Sequence, residues 1–314
     1  MENNQITSKI LMVRPSNFGY NAETALSNSF QQSDDNISHE MIRENAINEF
    51  NEFVEHLRFV GVEVFVVPDS VSPIKPDAIF PNNWVSMHQN GKVVLYPMCA
   101  PSRRIERNIN IIDSLRDYFE IKEIIDLSYF EDQSLFLEGT GSMIFDRPNK
   151  MVYACTSPRT DINVLNEFCK QMGYTAITFR SEDRQGNEIY HTNVMMALGD
   201  DFAIICLDSI PNADERFNVV ETLEASNKAI IEISLDQVEK FAGNMLQVST
   251  KEDKKYLVMS EQAYNSLTVE QKHEICTHTK ILNSPLYTIE KYGGGSARCM
   301  MAEIFLEKIS NKFR

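Results

Sequence analysis

Residues 77–97 read DAIFPNNWVSMHQNGKVVLYP. Two apolar runs flank Asn90-Gly91, a dipeptide that takes the left-handed backbone of a two-residue turn at little cost, so the stretch predicts a β-hairpin. The plan returns three times: GSMIFDRPNKMVYAC (141–155) turning through Asp146 to Lys150, HTNVMMALGDDFAIICL (191–207) around Gly199, Asp200 and Asp201, and NMLQVSTKEDKKYLVMS (244–260) at Lys251 to Lys254. With the polar residues ahead of them, the hairpins start near residues 77, 138, 191 and 244. A recurrence of roughly 50 to 60 residues is the mark of a radial or stacked array.

Each hairpin runs outward into a helix and a further strand. Ser102 is expected to cap a helix with Ile105, Ile109, Ile112 and Leu115 on one face, ahead of the strand IKEIIDL (121–127). Thr160 is expected to cap another, burying Val164, Leu165, Phe168 and Met172 and stopping at Gly173 before YTAITF (174–179). DERFNVVETLEASNK (214–228) precedes AIIEIS (229–234), and Ser38 opens a long amphipathic helix ending at Gly61, before VEVFVV (62–67). A fifth unit draws on both ends of the sequence: KILMVRP (9–15) supplies its strand, and a last helix is expected to begin at GGGSARCMM (293–301). The expected class is α/β, five ββαβ units, although periodicity alone does not exclude an ordinary α/β sheet.

Composition narrows the function. The 314 residues carry a net charge of -15, which argues against nucleic acid or an anionic membrane, since both are bound through basic patches. The start MENNQITSKI lacks a basic segment followed by an apolar run, and no apolar stretch has the length of a bilayer span, so a cytoplasmic protein is expected. Cys99, Cys155, Cys169, Cys206, Cys276 and Cys299 follow no framework spacing and are expected as free thiols. Cys276 with His273 and His278 lacks the second pair that a zinc site needs, so no metal is expected. No Pro/Gly/Ser linker marks a boundary, and residues 1–314 are expected to form a single domain.

Polar residues gather at the first turn of each hairpin: Asp77, Asn82 and Asn83, then Glu138, then His191 and Asn193, with Cys299 at the matching place in the last unit. In a radial array such positions converge on one axis. A cysteine, a histidine and a carboxylate would then meet, a trio suited to nucleophilic catalysis. Taken singly, His191 reads as a core histidine and Glu138 as a residue at a solvated strand end; convergence raises them together. Cys299 would fall in the first turn of the last helix, where unpaired N–H groups and the helix dipole favour a thiolate.

APSRRIE (100–106), FLEGTGSMIF (136–145), SPRTD (157–161), YHTNVM (190–195) and GGGSARCMM (293–301) occur in the order and spacing of the amidinotransferase, or guanidine-modifying, superfamily. The chain resembles that superfamily, which includes arginine deiminase and dimethylarginine dimethylaminohydrolase, over nearly its whole length. The resemblance implies a five-bladed α/β propeller, the pentein fold, with pseudo-fivefold symmetry. It implies Cys299 as nucleophile, His191 as general acid and base, and Glu138 as the carboxylate that binds substrate nitrogens. Arg103 and Arg159 resemble the arginines that clamp a substrate α-carboxylate, for which a planar fork is suited. No cofactor is implied.

Two positions depart from the pattern. Arginine deiminases usually carry aspartate two residues after the histidine and an acid in the segment equivalent to FPNNW (80–84); here Asn193 and Asn83 stand there. An amide donates to a carbonyl as well as accepting from an N–H, which suits the neutral ureido group of citrulline. Asp77, three residues ahead of FPNNW, weakens the argument, since it could supply one carboxylate. The pattern is most similar to the citrulline hydrolase branch, giving ornithine, carbon dioxide and ammonia through a carbamoyl thioester. The alternatives are a guanidine hydrolase acting on arginine or a methylated arginine, an amidinotransferase, a non-catalytic amino-acid-binding module and a cysteine peptidase. The intact Cys299, His191 and Glu138 argue against the binding module, and Arg103 with Arg159 suggest a pocket for a small zwitterion rather than a peptide groove. The expected partner is thus citrulline or an arginine-like amino acid, with a homo-oligomer left open. Residues 16–36 are read as a surface loop rather than a lid, with Asn17 and Phe18 as the side chains that would reach substrate.

Overall fold

The computed structural model describes residues 4–25, 28, 30–33 and 37–309. β1 (Lys9–Arg14) runs parallel to β2 (Glu63–Pro68), joined through the helix His39–Phe59, whose first turn is capped by Ser38 accepting from the Met41 N–H. β3 (Val85–Met87), β4 (Lys92–Leu95) and β5 (Glu123–Asp126) make a second sheet; β6 (Ile144–Asp146), β7 (Met151–Cys155) and β8 (Thr175–Phe179) a third. β9 (Met196–Leu198), β10 (Phe202–Ile205) and β11 (Ala229–Glu232) make a fourth, and β12 (Leu246–Ser249), β13 (Lys255–Ser260) and β14 (Lys280–Ser284) a fifth. β15 (Ala302–Glu303) pairs with β1, Ile10 opposite Glu303, so the expected fifth unit does draw on both ends of the sequence, but its C-terminal part is a strand where a helix is expected.

One pairing rule governs all five. One edge strand is antiparallel to the middle strand, joined to it by a short turn in every sheet but the first. The other is parallel to it and reached through a helix-bearing crossover. The middle strand FAII of β10 is buried throughout, which is why it reads as an unbroken apolar run. Apolar clusters join successive sheets: Leu11 and Val13 with Val85, then Val94 with Phe145, then Ile144 with Met196 and Leu257, and finally Leu246 and Val258 with Ile10. Ladder pairing stays within each sheet, and isolated bridges such as Met87 with Ile304 link neighbours. The molecule is thus a mixed α/β fold of small sheets, each packed on the next and the fifth on the first. Among the described residues no helix is long and apolar enough to cross a membrane.

Three local expectations give way. The helix attributed to Ser102 is two pieces, Pro101–Arg104 opened by Ala100 and Ile109–Leu115 capped by Asn108, which leaves Ile105 and Ile109 exposed. Asp161, not Thr160, caps Ile162–Met172, its carboxylate accepting from the N–H groups of Asn163 and Val164. The third concerns the final helix. Tyr287–Gly293 ends at the glycines, with Gly294 in the left-handed conformation at φ 62° and its N–H on Glu290 O, and residues 296–301 form turns that lead into β15. No helix dipole acts on Cys299.

Candidate active site

A single helical turn precedes the first strand of each middle sheet: Pro81–Asn83 before β3, Gly139–Ser142 before β6, Thr192–Met195 before β9. Glu138 and His191 occupy the same place, the residue ahead of the turn, and their side chains meet with His191 Nε2 2.9 Å from Glu138 Oε2. Glu138 is fully buried; its other oxygen accepts from the Cys99 N–H at 2.9 Å. Burial pushes its pKa up, but Arg159, His191 and Arg103 more than offset this and hold it well below the carboxylate range. Burial, only partly countered by Glu138, lowers His191 to about 4, so the imidazole is neutral at physiological pH. Nε2 faces a carboxylate and carries the proton; Nδ1 keeps its lone pair. A Cβ on Gly141 would lie 2.4 Å from Asn83 Nδ2 and 2.7 Å from His191 Nδ1, so only glycine lets this ring and this amide approach.

Cys299 Sγ lies 3.4 Å from Asn193 Nδ2 and 3.2 Å from Asn244 Nδ2, both donors. Desolvation holds other cysteines as thiols, pushing Cys155 to about 12 and Cys169 and Cys206 to about 11.

The residues expected to bind substrate sit around this group. Arg103 is buried and committed within the protein: Nε and Nη2 donate to Glu106 at 3.0 and 2.9 Å, Nη1 donates to Asn83 Oδ1 at 2.8 Å, and Asp77 lies 3.8 Å away. Its pKa is raised because Glu106, Asp77 and Glu138 outweigh burial. Arg159 donates to Thr24 O at 3.0 Å, pairs with Glu138 at 3.6 Å and stacks over Tyr190 at 4.7 Å. Asp77 Oδ2 accepts from Asn21 and Thr24, and burial raises its pKa despite Arg103. Asp77 Oδ1, Asn83 Nδ2 and Asn193 Oδ1 are buried without a hydrogen-bond partner among the described residues.

The expected surface loop is instead part of this site. Thr24, Asn28 and Gln31 line the pocket with Asp77, Asn83, Arg103, Arg159, His191 and Cys299. Asn28 and Gln31 donate to the carbonyls of Gly294 and Gly293, and the Gln32 N–H donates to Lys291 O. Asn17 is tied to Val71 O, and Phe18 packs against Gly293; neither lines the pocket. Residues 26, 27, 29 and 34–36 of that segment lie outside the described ones. Free space beside Cys299 is about 20 Å³, roughly one water. A cavity of about 490 Å³ lies across the segment, lined by Phe30, Gln32, Lys240 and Phe241, but it holds none of the expected site residues, so chemistry rather than size picks out the site. No group of three or more metal-ligating side chains occurs among the described residues.

The family model for eukaryotic N,N dimethylarginine dimethylhydrolase matches residues 14–306. The chain belongs to this family. As a dimethylarginine dimethylhydrolase family member it is a hydrolase of C–N bonds other than peptide bonds. No curated protein matches the chain. Among solved structures, it superposes on ArgZ, an arginine dihydrolase from the ornithine-ammonia cycle in cyanobacteria, with TM-score 0.75 and 17% identity, covering 96% of this chain and 41% of that one. The substrate-bound N-terminal domain of ArgZ matches with TM-score 0.73 and 17% identity, over 95% of this chain and 99% of that domain. A dimethylarginine dimethylaminohydrolase variant carrying an S-methyl-L-thiocitrulline adduct matches with TM-score 0.64 and 13% identity, over 95% and 100%. At such identities the likeness carries the fold alone.

For this family member, sequence reading missed Glu106, Tyr190 and Asn244. Glu106 stands three residues after Arg103 inside APSRRIE, the spacing of a helical ion pair. Asn244 opens the fourth hairpin, in register with Asn83.

Proposed function

We propose that the chain hydrolyses the ureido group of L-citrulline with Cys299 as nucleophile. One observation carries the reading: the orientation of Asn83. Arg103 can only donate, so the amide oxygen faces Arg103 at 2.8 Å and the unpartnered N–H₂ is left for the pocket. A donor there complements a carbonyl oxygen; against a guanidinium it would set donor to donor. Asn193 Oδ1, an unpartnered acceptor, suits the ureido N–H. Asp77 Oδ1 is left for an α-ammonium, and Arg159, which bonds Thr24 O, would exchange that contact for an α-carboxylate.

In this reading the Cys299 proton passes to His191 Nδ1 as sulfur attacks the ureido carbon. Glu138 supports the imidazolium, which protonates the departing ornithine nitrogen as the C–N bond breaks. Water, giving a proton to His191, then cleaves the carbamoyl thioester, and the carbamate yields carbon dioxide and ammonia. The segment carrying Thr24, Asn28 and Gln31 acts as a lid that must lift to admit substrate. The order in which the sheets pack supports residues 1–314 as one five-bladed propeller with this site on its axis.

A second reading, hydrolysis of arginine or a methylated arginine, is favoured by charge. Asp77, Glu106 and Glu138 face Arg103 and Arg159, three carboxylates to two guanidiniums, so a cationic substrate would balance the cluster. Release of ornithine and ammonia from citrulline, with arginine and a methylated arginine in parallel and Cys299→Ser as blank, decides. Turnover of citrulline alone is expected; turnover of arginine alone would hand the site to the second reading.

A further inference from the structure

Two side-chain amides face the Cys299 sulfur, which stands in a turn rather than at a helix start. We propose that Asn244 is a catalytic residue, which with Asn193 donates hydrogen bonds to Cys299 Sγ and stabilises the thiolate that forms as its proton passes to His191. This rests on Cys299 being the nucleophile but not on which substrate it attacks.

The orientation of Asn244 is fixed by its partners. Its Oδ1 accepts from the Arg298 N–H at 3.0 Å, and that donor cannot face an amide N–H₂. Nδ2 must therefore point the other way, where it lies 3.2 Å from Sγ and 3.0 Å from Asn193 O. The amide is 1% exposed, so water does not compete, and a charged acceptor gains more from a donor than a neutral one. Among the described residues the hydrogen-bond donors at Sγ are these two amides. Charged neighbours are otherwise occupied: the Arg298 guanidinium donates to Met301 O and Glu303, and the His191 proton faces Glu138.

The repeat explains how the amide arrives there. Asn83 and Asn244 each stand two residues ahead of the first strand of their sheets, and Asn193 and Cys299 three ahead. The loop before Asn244 presses on the turn carrying Asn193: a Cβ on Gly243 would lie 2.2 Å from Val194 O.

Alkylation of Cys299 by iodoacetamide, followed across pH by mass spectrometry of the peptide containing it, tests the proposal without any substrate. Asn244→Asp keeps the oxygen that anchors Arg298 and replaces the donors with negative charge; Asn244→Ala removes both. In each variant the pH midpoint of alkylation should rise, more for Asn244→Asp. Each pH unit by which the midpoint rises should slow alkylation near neutral pH by about tenfold. Turnover should recover as pH is raised. An unmoved midpoint in folded Asn244→Asp overturns the proposal and leaves Asn244 a spacer, as does a Cys299 inert at every pH in the unmodified protein. Failure to turn over citrulline would sink the substrate assignment and leave this result standing.

Discussion

Arg103 sets the direction of Asn83, and with it the polarity of the pocket. Asn83→Asp exchanges a donor for an acceptor at nearly constant shape. The exchange should lower kcat/KM for citrulline by roughly a hundredfold, about 3 kcal/mol, and improve arginine relative to it. An unchanged ratio of the two would show that Asn83 has no part in selection. His191 makes a second residue-scale prediction. Its folded pKa of about 4 lies below the ordinary 6.5, chiefly because it is buried, so folding excludes the proton. Its contribution to stability is complete above pH 6.5 and is lost as pH falls from there towards 4. The acid limb of kcat/KM for the free enzyme should accordingly lie near pH 4; a limb at 6.5 would mean that the imbalance of burial over Glu138 is not felt. Several of these roles are legible at this scale because Cys299, His191, Glu138 and Asn193 stand at repeated positions. Asn244 stands at one too, but its neighbours Ala242, Gly243, Met245 and Leu246 offer no charge or thiol to draw attention to it.

At the scale of elements, hairpins are readable where turn chemistry is explicit, as at Asn90-Gly91, and helix ends where glycine takes the left-handed backbone, as at Gly173. The same rule read backwards misleads at residues 293–295, where the glycines close a preceding helix, Tyr287–Gly293, and the helix expected to begin there does not form. The proposed lid is illegible for a different reason. Its partners are backbone carbonyls of Gly293 and Gly294, more than 260 residues away, and a carbonyl has no signature in sequence. Gly294→Ala tests both points. Left-handed backbone on alanine costs about 1–2 kcal/mol, and a Cβ would lie 2.5 Å from Asn28 Nδ2, pushing on the lid. Asp161→Ala should cost about 1 kcal/mol through loss of a helix cap that does not line the pocket. Urea unfolding should place the two variants near each other, while KM should rise only for Gly294→Ala; equal KM values would separate the helix end from the lid.

Across the whole molecule, five sheets repeat one pairing rule, and the first is the exception in sequence: the Thr7 hydroxyl reaches the carbonyl of Ile304, 297 residues on, and β1 lies between β2 and β15. During synthesis this ordering has a temporal meaning. The ribosome delivers Glu138 and His191 well ahead of Cys299, and the thiol emerges only three residues before the strand that completes the first sheet. A nascent or prematurely terminated chain thus presents the Glu138–His191 pair without Cys299, and in the proposed reading it gains its nucleophile only as the first sheet is completed.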